Sequence, residues 1–222
     1  MLYKDQVPIQ IFDCDGVILN SNSLKQSALR SALAHISVPS AFIDWAVNDF
    51  RINFGRTRIN HFKSFQAAAK RECIKFTPEM MSIAIAQYSK DVVRLYNNCE
   101  IIKETVDFIE KLPISSSIFI VSASDQIELR SILPLRLPRL LEQNIYGGPT
   151  SKVENIMKVL GISKNTRCTF YGDAVQDARA SMVCGVDFCG VTKHSADPQS
   201  LVSFCESNNL MYFQHCSEVP VL

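Results

Sequence analysis

Two carboxylates one residue apart, Asp13 and Asp15, close the apolar run Ile9-Gln10-Ile11-Phe12, and Gly16 follows them. A carboxylate buried without compensation is costly, so a buried run that ends in two of them requires a metal ion or a cationic side chain nearby. Gly16 lets the backbone turn where a side chain would collide. Two later apolar runs also close in polar residues. Ser122 follows Ile118-Phe119-Ile120-Val121, and Gly172-Asp173 follows the run from Cys168, with Asp177 four residues on. One lysine, Lys152, heads a helical stretch before that last run. Carboxylates from two chain segments suit Mg2+, which takes oxygen ligands and keeps several waters. A serine hydroxyl and a lysine can hold phosphoryl oxygens. An aspartate left free for attack can form an aspartyl-phosphate.

For these residues to meet, the segments that carry them must end at one place. Apolar runs such as 9–12 read as strands buried on both faces, and open α/β sheets gather their ligands at the carboxyl ends of parallel strands. From Asn97 onward the pattern alternates. A helix reads over 101–112, a strand up to Val121, a helix over 126–133 stopped by Pro134, and a short strand or turn over 145–148. A helix from Lys152 to Leu160 with Gly161 as its stop follows, then strands over 168–171 and 186–191 around a helix over 174–183. A helix over 198–207 and a terminal extension complete the chain. Such alternation predicts a parallel sheet with helices on both faces. Residues 20–96 carry no strand pattern. Leu24, Ala28, Leu29, Ala32 and Leu33 recur at helical spacing behind capping side chains at Asn20 to Ser23, and Pro39 breaks that helix. Further helices read over 41–50, 59–73 and 78–96. The fold expected is an α/β, Rossmann-like parallel core over 1–19 and 97–222, with an all-helical insert over 20–96.

Bulk composition narrows the partners. With 222 residues, 47% hydrophobic and 20% charged, the chain is long enough for one sizeable core. A net charge of +1 offers no basic field for nucleic acid. No apolar run approaches the roughly 20 residues that span a bilayer, and no basic-then-apolar leader opens the chain. A cytoplasmic monomer or homodimer is expected, with no nucleic-acid or membrane partner. The eight cysteines are scattered without a C-x-x-C pair and the four histidines stand apart, so zinc spacing is missing and the thiols read as reduced packing residues, Cys14 included.

The four groups in order, Asp13-Cys14-Asp15-Gly16-Val17, Ser122, Lys152 and Gly172-Asp173-Ala174-Val175-Gln176-Asp177, resemble the motifs of the haloacid dehalogenase-like superfamily of phosphohydrolases across essentially the whole chain. The helical insert is similar to that family's type 1 cap. By this resemblance Asp13 is the nucleophile, and Asp15 is the acid that protonates the leaving alkoxide and then the base that activates water. Ser122, with its neighbour Ala123, binds a phosphoryl oxygen, and Lys152 bridges Asp13 and the phosphate. Asp13, Asp173 and the main-chain carbonyl of Asp15 bind Mg2+, while Asp177 orients Lys152 or a metal-bound water. An aspartate at position 15 sets the chain apart from dehalogenases and fits an alcohol leaving group, which needs a proton. Lys25 takes the place, twelve residues after the nucleophile, where β-phosphoglucomutase-like relatives carry histidine; it is counted with the substrate-binding residues and weakens the mutase alternative. Val17 for the frequent Thr, and Asn20 for a frequent Asp, are mild departures.

The reaction expected is Mg2+-dependent hydrolysis of a small phosphate monoester through an aspartyl-phosphate, with a phosphosugar mutase as the alternative. Substrate choice falls to the insert, because the core sees only phosphate. There Arg51, Arg56 and Arg58 surround Phe54-Gly55, and an arginine fork suits a carboxylate or a second phosphate. Arg56 is the foremost candidate, and a sugar phosphate or a phosphorylated carboxylic acid is the expected substrate.

Overall fold

The computed structural model describes residues 8–137, 139–162 and 167–219. The first strand, β1 (Ile9–Phe12), is buried along its whole length. Ile9 and Ile11 pack with Phe119, Val121, Ile156 and Phe170 on one face. Phe12 points to the other, where it stacks on Tyr171 at 4.7 Å between ring centroids. That alternation is the period of a strand covered on both sides.

Four helices follow: α1 (Asn22–His35), α2 (Ser40–Ile52), α3 (Arg58–Arg71) and α4 (Pro78–Asn98). They share an apolar interior in which Leu29, Leu33, Phe50, Phe62, Phe65 and Tyr88 are buried. Thr77 caps α4 by accepting from the Met80 N–H at 3.2 Å, with Pro78 in the first turn where its missing donor costs nothing. The chain enters and leaves this helical insert side by side. Leu19 pairs with Ile101 in an antiparallel bridge. Asn20 N donates to Glu100 O at 3.0 Å, and Ile102 N to Ile18 O at 2.9 Å.

After α5 (Lys103–Lys111) the alternation begins: β2 (Ser117–Asp125), α6 (Gln126–Arg136), β3 (Ile145–Gly148), α7 (Lys152–Ile162), β4 (Cys168–Gly172), α8 (Val175–Cys184), β5 (Asp187–Val191), α9 (Pro198–Ser207) and β6 (Met211–Phe213). The six strands form one sheet in the order β3-β2-β1-β4-β5-β6, every pair parallel. The strand order reverses between β1 and β4. A crevice at the carboxyl ends on either side of such a reversal is where sheets of this kind hold ligands.

Several local expectations are corrected. Pro134 does not stop α6, which continues to Arg136, and Leu137 N rejoins the ladder by donating to Leu133 O at 2.9 Å. Burial of Leu129, Ile132, Leu133 and Leu137 outweighs the one bond that proline removes. Gly161 does not end α7, which runs through to Ile162; glycine in a helix costs only about 1 kcal/mol against alanine. Strand β2 extends past Val121 to Asp125, with a shift of register against β3. The terminal extension adds β6, a strand too short to show a period. The side chain of Ser21 does not cap α1. All eight cysteines are free thiols, and among the described residues no helix is long and apolar enough to cross a membrane.

Candidate active site

The strand ends bring the expected residues to one edge. Asp13 and Asp15 leave β1, Ser122 to Ser124 form the end of β2, Lys152 opens α7, Asp173 leaves β4, and Asp177 sits in the first turn of α8. Asp13 N still donates to Tyr171 O at 2.9 Å, so the nucleophile candidate is fixed by the sheet itself. The backbone then reverses: Ile18 N and Leu19 N both donate to Cys14 O, at 2.8 and 2.9 Å. Gly16 sits at φ +75°, and a Cβ there would overlap the Asp173 carboxylate and the Asn22 amide. Only glycine lets these two loops approach so closely.

Two carboxylate clusters of opposite character result. In the first, Asp13, Asp173 and Asp177 each offer an oxygen within 4.8 Å of the others. Lys152 Nζ lies 3.0 Å from Asp13 Oδ1 and pairs with Asp177 Oδ1. Asp177 also accepts from Ala174 N at 3.1 Å. Asn22 Nδ2 donates to Asp173 Oδ2 at 2.6 Å and to His194 O at 2.8 Å. Burial drives the Asp13 carboxyl up to about 6 even with Lys152 beside it, and the neighbouring Asp177 and Asp15 charges add to the rise. Burial, then the charges of Asp13 and Asp177, hold Asp173 well above the ordinary range. This is crowded negative charge with too little positive charge. Among the described residues Asp13 Oδ1 has the Lys152 ammonium beside it and no other donor. Hard oxygen donors, buried and under-neutralised, fit Mg2+.

The second cluster surrounds Asp15 and is fully neutralised. Lys25 Nζ and Ser124 Oγ donate to its Oδ2 at 2.8 and 2.7 Å. Ser21 Oγ and Tyr96 OH donate to Oδ1 at 2.6 and 2.8 Å. Burial works against ionisation here too, but Lys25 and these hydrogen bonds outweigh it and hold the carboxyl below its usual value. The Lys25 ammonium is held above its own usual value by the same pairing, against burial. Lys25 and Tyr96 come from α1 and α4, so the helical insert supplies these two partners of Asp15, while Ser124 comes from β2.

Ser122 is buried, and its Oγ accepts from Ser124 N at 3.3 Å. Ser122, Ala123 and Lys152 line a chamber that also borders Asp13, Asp15, Lys25 and Arg56. Of the three arginines around Gly55, two are already engaged. Arg58 forks onto Glu128 of α6 at 2.8 and 2.7 Å, and Arg51 lies 3.7 Å from Asp197. Arg56 is exposed, and among the described residues it forms no ion pair. Gly55, at φ +93°, presses so close to Gln176 that a Cβ would stand 2.9 Å from its side chain.

Sequence reasoning missed Ser21, Asn22, Tyr96 and Ser124. Ser124 carries a signal, since residues two apart on a strand share a face with Ser122. The others act across folds of the chain that no local pattern records.

A pH consequence follows for the metal-free protein. Asp13 binds its proton more tightly when folded than when unfolded. Its contribution is complete below the ordinary carboxylate value near 4 and is lost as pH rises through about 6. With EDTA present, Tm should therefore be higher at pH 5 than at pH 7, and added Mg2+ should recover the loss at pH 7. Calorimetry checks this; equal Tm at both pH values would mean that Asp13 titrates normally.

Comparison with known proteins gives consistent results. The family model described as haloacid dehalogenase-like hydrolase matches residues 10–191. No curated protein matches the chain. Among solved structures, a candidate phosphoglycolate phosphatase from Lactobacillus plantarum is similar with a TM-score of 0.71 at 18% identity, covering 96% of this chain and 98% of its own. A second candidate phosphoglycolate phosphatase, from Haemophilus somnus, gives 0.72 at 15% identity, with 97% of each chain covered. A candidate β-phosphoglucomutase from Bacteroides vulgatus gives 0.75 at 13% identity, over 96% of this chain and 85% of that one. At these identities the likeness is one of fold.

Proposed function

Because the chain belongs to the haloacid dehalogenase-like hydrolases, we propose that it is a Mg2+-dependent phosphatase acting on a small phosphate monoester through an aspartyl-phosphate. Residues 1–19 and 97–222 act as the catalytic core and 20–96 as the cap that selects the substrate. One observation carries the reading. An aspartate at the end of β1 meets a lysine at 3.0 Å and two more buried carboxylates at the point where the strand order reverses.

Asp13 attacks phosphorus; its Oδ–P bond forms as the ester P–O bond breaks. Lys152 holds Asp13 in place and offers its ammonium to a phosphoryl oxygen, and Asp177 keeps that ammonium from drifting. Ser122 Oγ and the backbone around Ala123 receive another phosphoryl oxygen. Asp13, Asp173 and the main-chain carbonyl of Asp15 would hold Mg2+, which would neutralise carboxylate and phosphoryl charge together. Asp15 then serves the proton transfers. As held, it is ionised and fully engaged, which suits the base that takes a proton from water in the second half-reaction. To protonate the leaving alkoxide in the first, it must carry a proton and release the Lys25 ammonium. Lys25 thus governs Asp15 rather than contacting substrate directly.

The test is release of free phosphate from a panel of phosphorylated metabolites with Mg2+. Strong release from a narrow group of small esters supports the reading. Conversion of β-glucose 1-phosphate to glucose 6-phosphate in the presence of the bisphosphate, with little free phosphate, would replace it with a mutase. Arg56→Ala should raise KM for carboxylate-bearing esters about 10-fold or more, with a much smaller change in kcat, since an arginine–carboxylate fork is made in ground and transition states alike. An unchanged KM would remove Arg56 from substrate binding.

A further inference from the structure

His61 lies in α3, 1% exposed, and among the described residues neither ring nitrogen has a hydrogen-bond partner. Buried polar side chains are almost always satisfied, and an orphan with two unmet nitrogens asks for an explanation. The ring sits 4.5 Å from that of Phe50, centroid to centroid. With Phe54 and Tyr88 it forms the cap-side wall of the chamber whose floor is Asp13, Ser122 and Lys152. The chamber is tight: its free space measures about 20 Å3.

The other groups of this wall divide the work. Among the described residues, three of the chamber's four lysines and arginines are committed: Lys25 to Asp15, Arg58 to Glu128, and Lys152 to Asp13 and Asp177. Arg56 is the one that remains for an anionic group of the substrate. Burial, then the positive charges of Arg56 and Lys25, push the His61 imidazole down to about 3, so it is neutral. A neutral imidazole presents one N–H donor and one lone-pair acceptor. A carboxylate answers only the first; a hydroxyl can meet either.

We propose that His61 is a specificity-determining residue that hydrogen-bonds a hydroxyl on the non-phosphate end of the substrate while Arg56 takes a carboxylate, so that the substrate is a short phosphorylated hydroxy acid. This rests on the phosphatase reading above and narrows it. The bland alternative is that His61 only fills space between Phe50 and Phe65, with 6.0 Å between its ring centroid and that of Phe65.

The two are separated by paired probes. 3-Phosphoglycerate and 3-phosphooxypropionate differ only by the hydroxyl next to the carboxylate; glycerol 3-phosphate keeps the hydroxyl and lacks the carboxylate. Wild type should prefer 3-phosphoglycerate over 3-phosphooxypropionate by about 10- to 100-fold in kcat/KM, because a site built for a hydroxyl rejects the analogue without it. In His61→Phe that preference should fall to within about threefold. Tm should hold or rise, since an apolar ring replaces an unsatisfied one. His61→Asn, which keeps a donor and an acceptor, should restore part of the preference. The same preference in His61→Phe as in wild type, or none in wild type, would overturn the proposal. If wild type releases phosphate from nothing, the phosphatase reading fails. The dissociation constants of the two acids, measured on Asp13→Asn with and without His61→Phe, then decide the role of His61 alone.

Discussion

Asp13→Asn should lose turnover by a factor of at least about 10,000 while making the metal-free protein more stable. The first part follows from the role proposed for Asp13: an amide oxygen is a poor nucleophile, and removing the attacking group from a covalent mechanism costs several orders of magnitude. The second follows from charge. Asp13, Asp173 and Asp177 crowd one buried corner, and burial together with their mutual repulsion pushes Asp13 and Asp173 upward. Asparagine removes one of the three charges, and Lys152 keeps Asp177 as its partner. With EDTA at pH 7 the variant should therefore melt above wild type, and its response to Mg2+ should shrink. Differential scanning calorimetry and phosphate release, run on the same preparation, read both halves. Turnover within about 10-fold of wild type would mean that another group attacks phosphorus. A lower Tm would mean that Lys152 depends on Asp13 more than on Asp177.

Lys25→Met should be the most damaging substitution to the fold among the site residues. The Lys25–Asp15 pair is buried on both sides. Removing one partner of such a pair typically costs about 3–5 kcal/mol, because the other is left as an uncompensated charge. For a chain of this size that is roughly a 10 °C fall in Tm. Ser21, Ser124 and Tyr96 still donate to Asp15, so the carboxyl should move upward without becoming fully neutral. The acid limb of the rate profile should shift to higher pH with it. The double variant Lys25→Met/Asp15→Asn removes the stranded charge and should regain most of the lost stability. Failure of that rescue would show that Lys25 stabilises through its place over the Phe54 and Tyr96 rings and not through its pairing with Asp15.

Those two residues also mark the limits of what the sequence reveals. Asp13, Ser122, Lys152 and Asp173 could be read because each ends an apolar run or opens a helix, and such signals are local. Their convergence needed only the parallel alternation of strands and helices. Lys25 was legible as a position but not as a role. The twelve residues that separate it from Asp13 say nothing of the Asp15 carboxylate it neutralises. Tyr96 lies 81 residues from Asp15, and Asn22 lies 151 from Asp173. Contacts at such separations are properties of the folded insert, not of any window. The helix through Pro134 was misjudged for a related reason: tertiary burial of four side chains overrode a local preference. The arginines around Gly55 look alike in sequence, yet Glu128 and Asp197, both far along the chain, leave only Arg56 without an ion pair among the described residues.

The paired crossing at Ile18 to Asn20 and Glu100 to Ile102 has a consequence for how such a protein can change over time. The two leads of the insert leave the sheet together, so the rest of the chain closes on itself whether the detour between them is long or short. The entropy cost of a longer detour grows only slowly with its length. The sheet should therefore tolerate exchange of what is threaded there without re-solving the fold beneath it. The graft is not free of obligations. Lys25 and Tyr96 travel with the insert but serve Asp15, and Asn22 serves Asp173. A transplanted lid that brought its own pocket but not these three donors would strand Asp15 and loosen Asp173. The replaceable unit is therefore the outer wall of the lid, and the inner faces of its first and last helices belong, chemically, to the sheet.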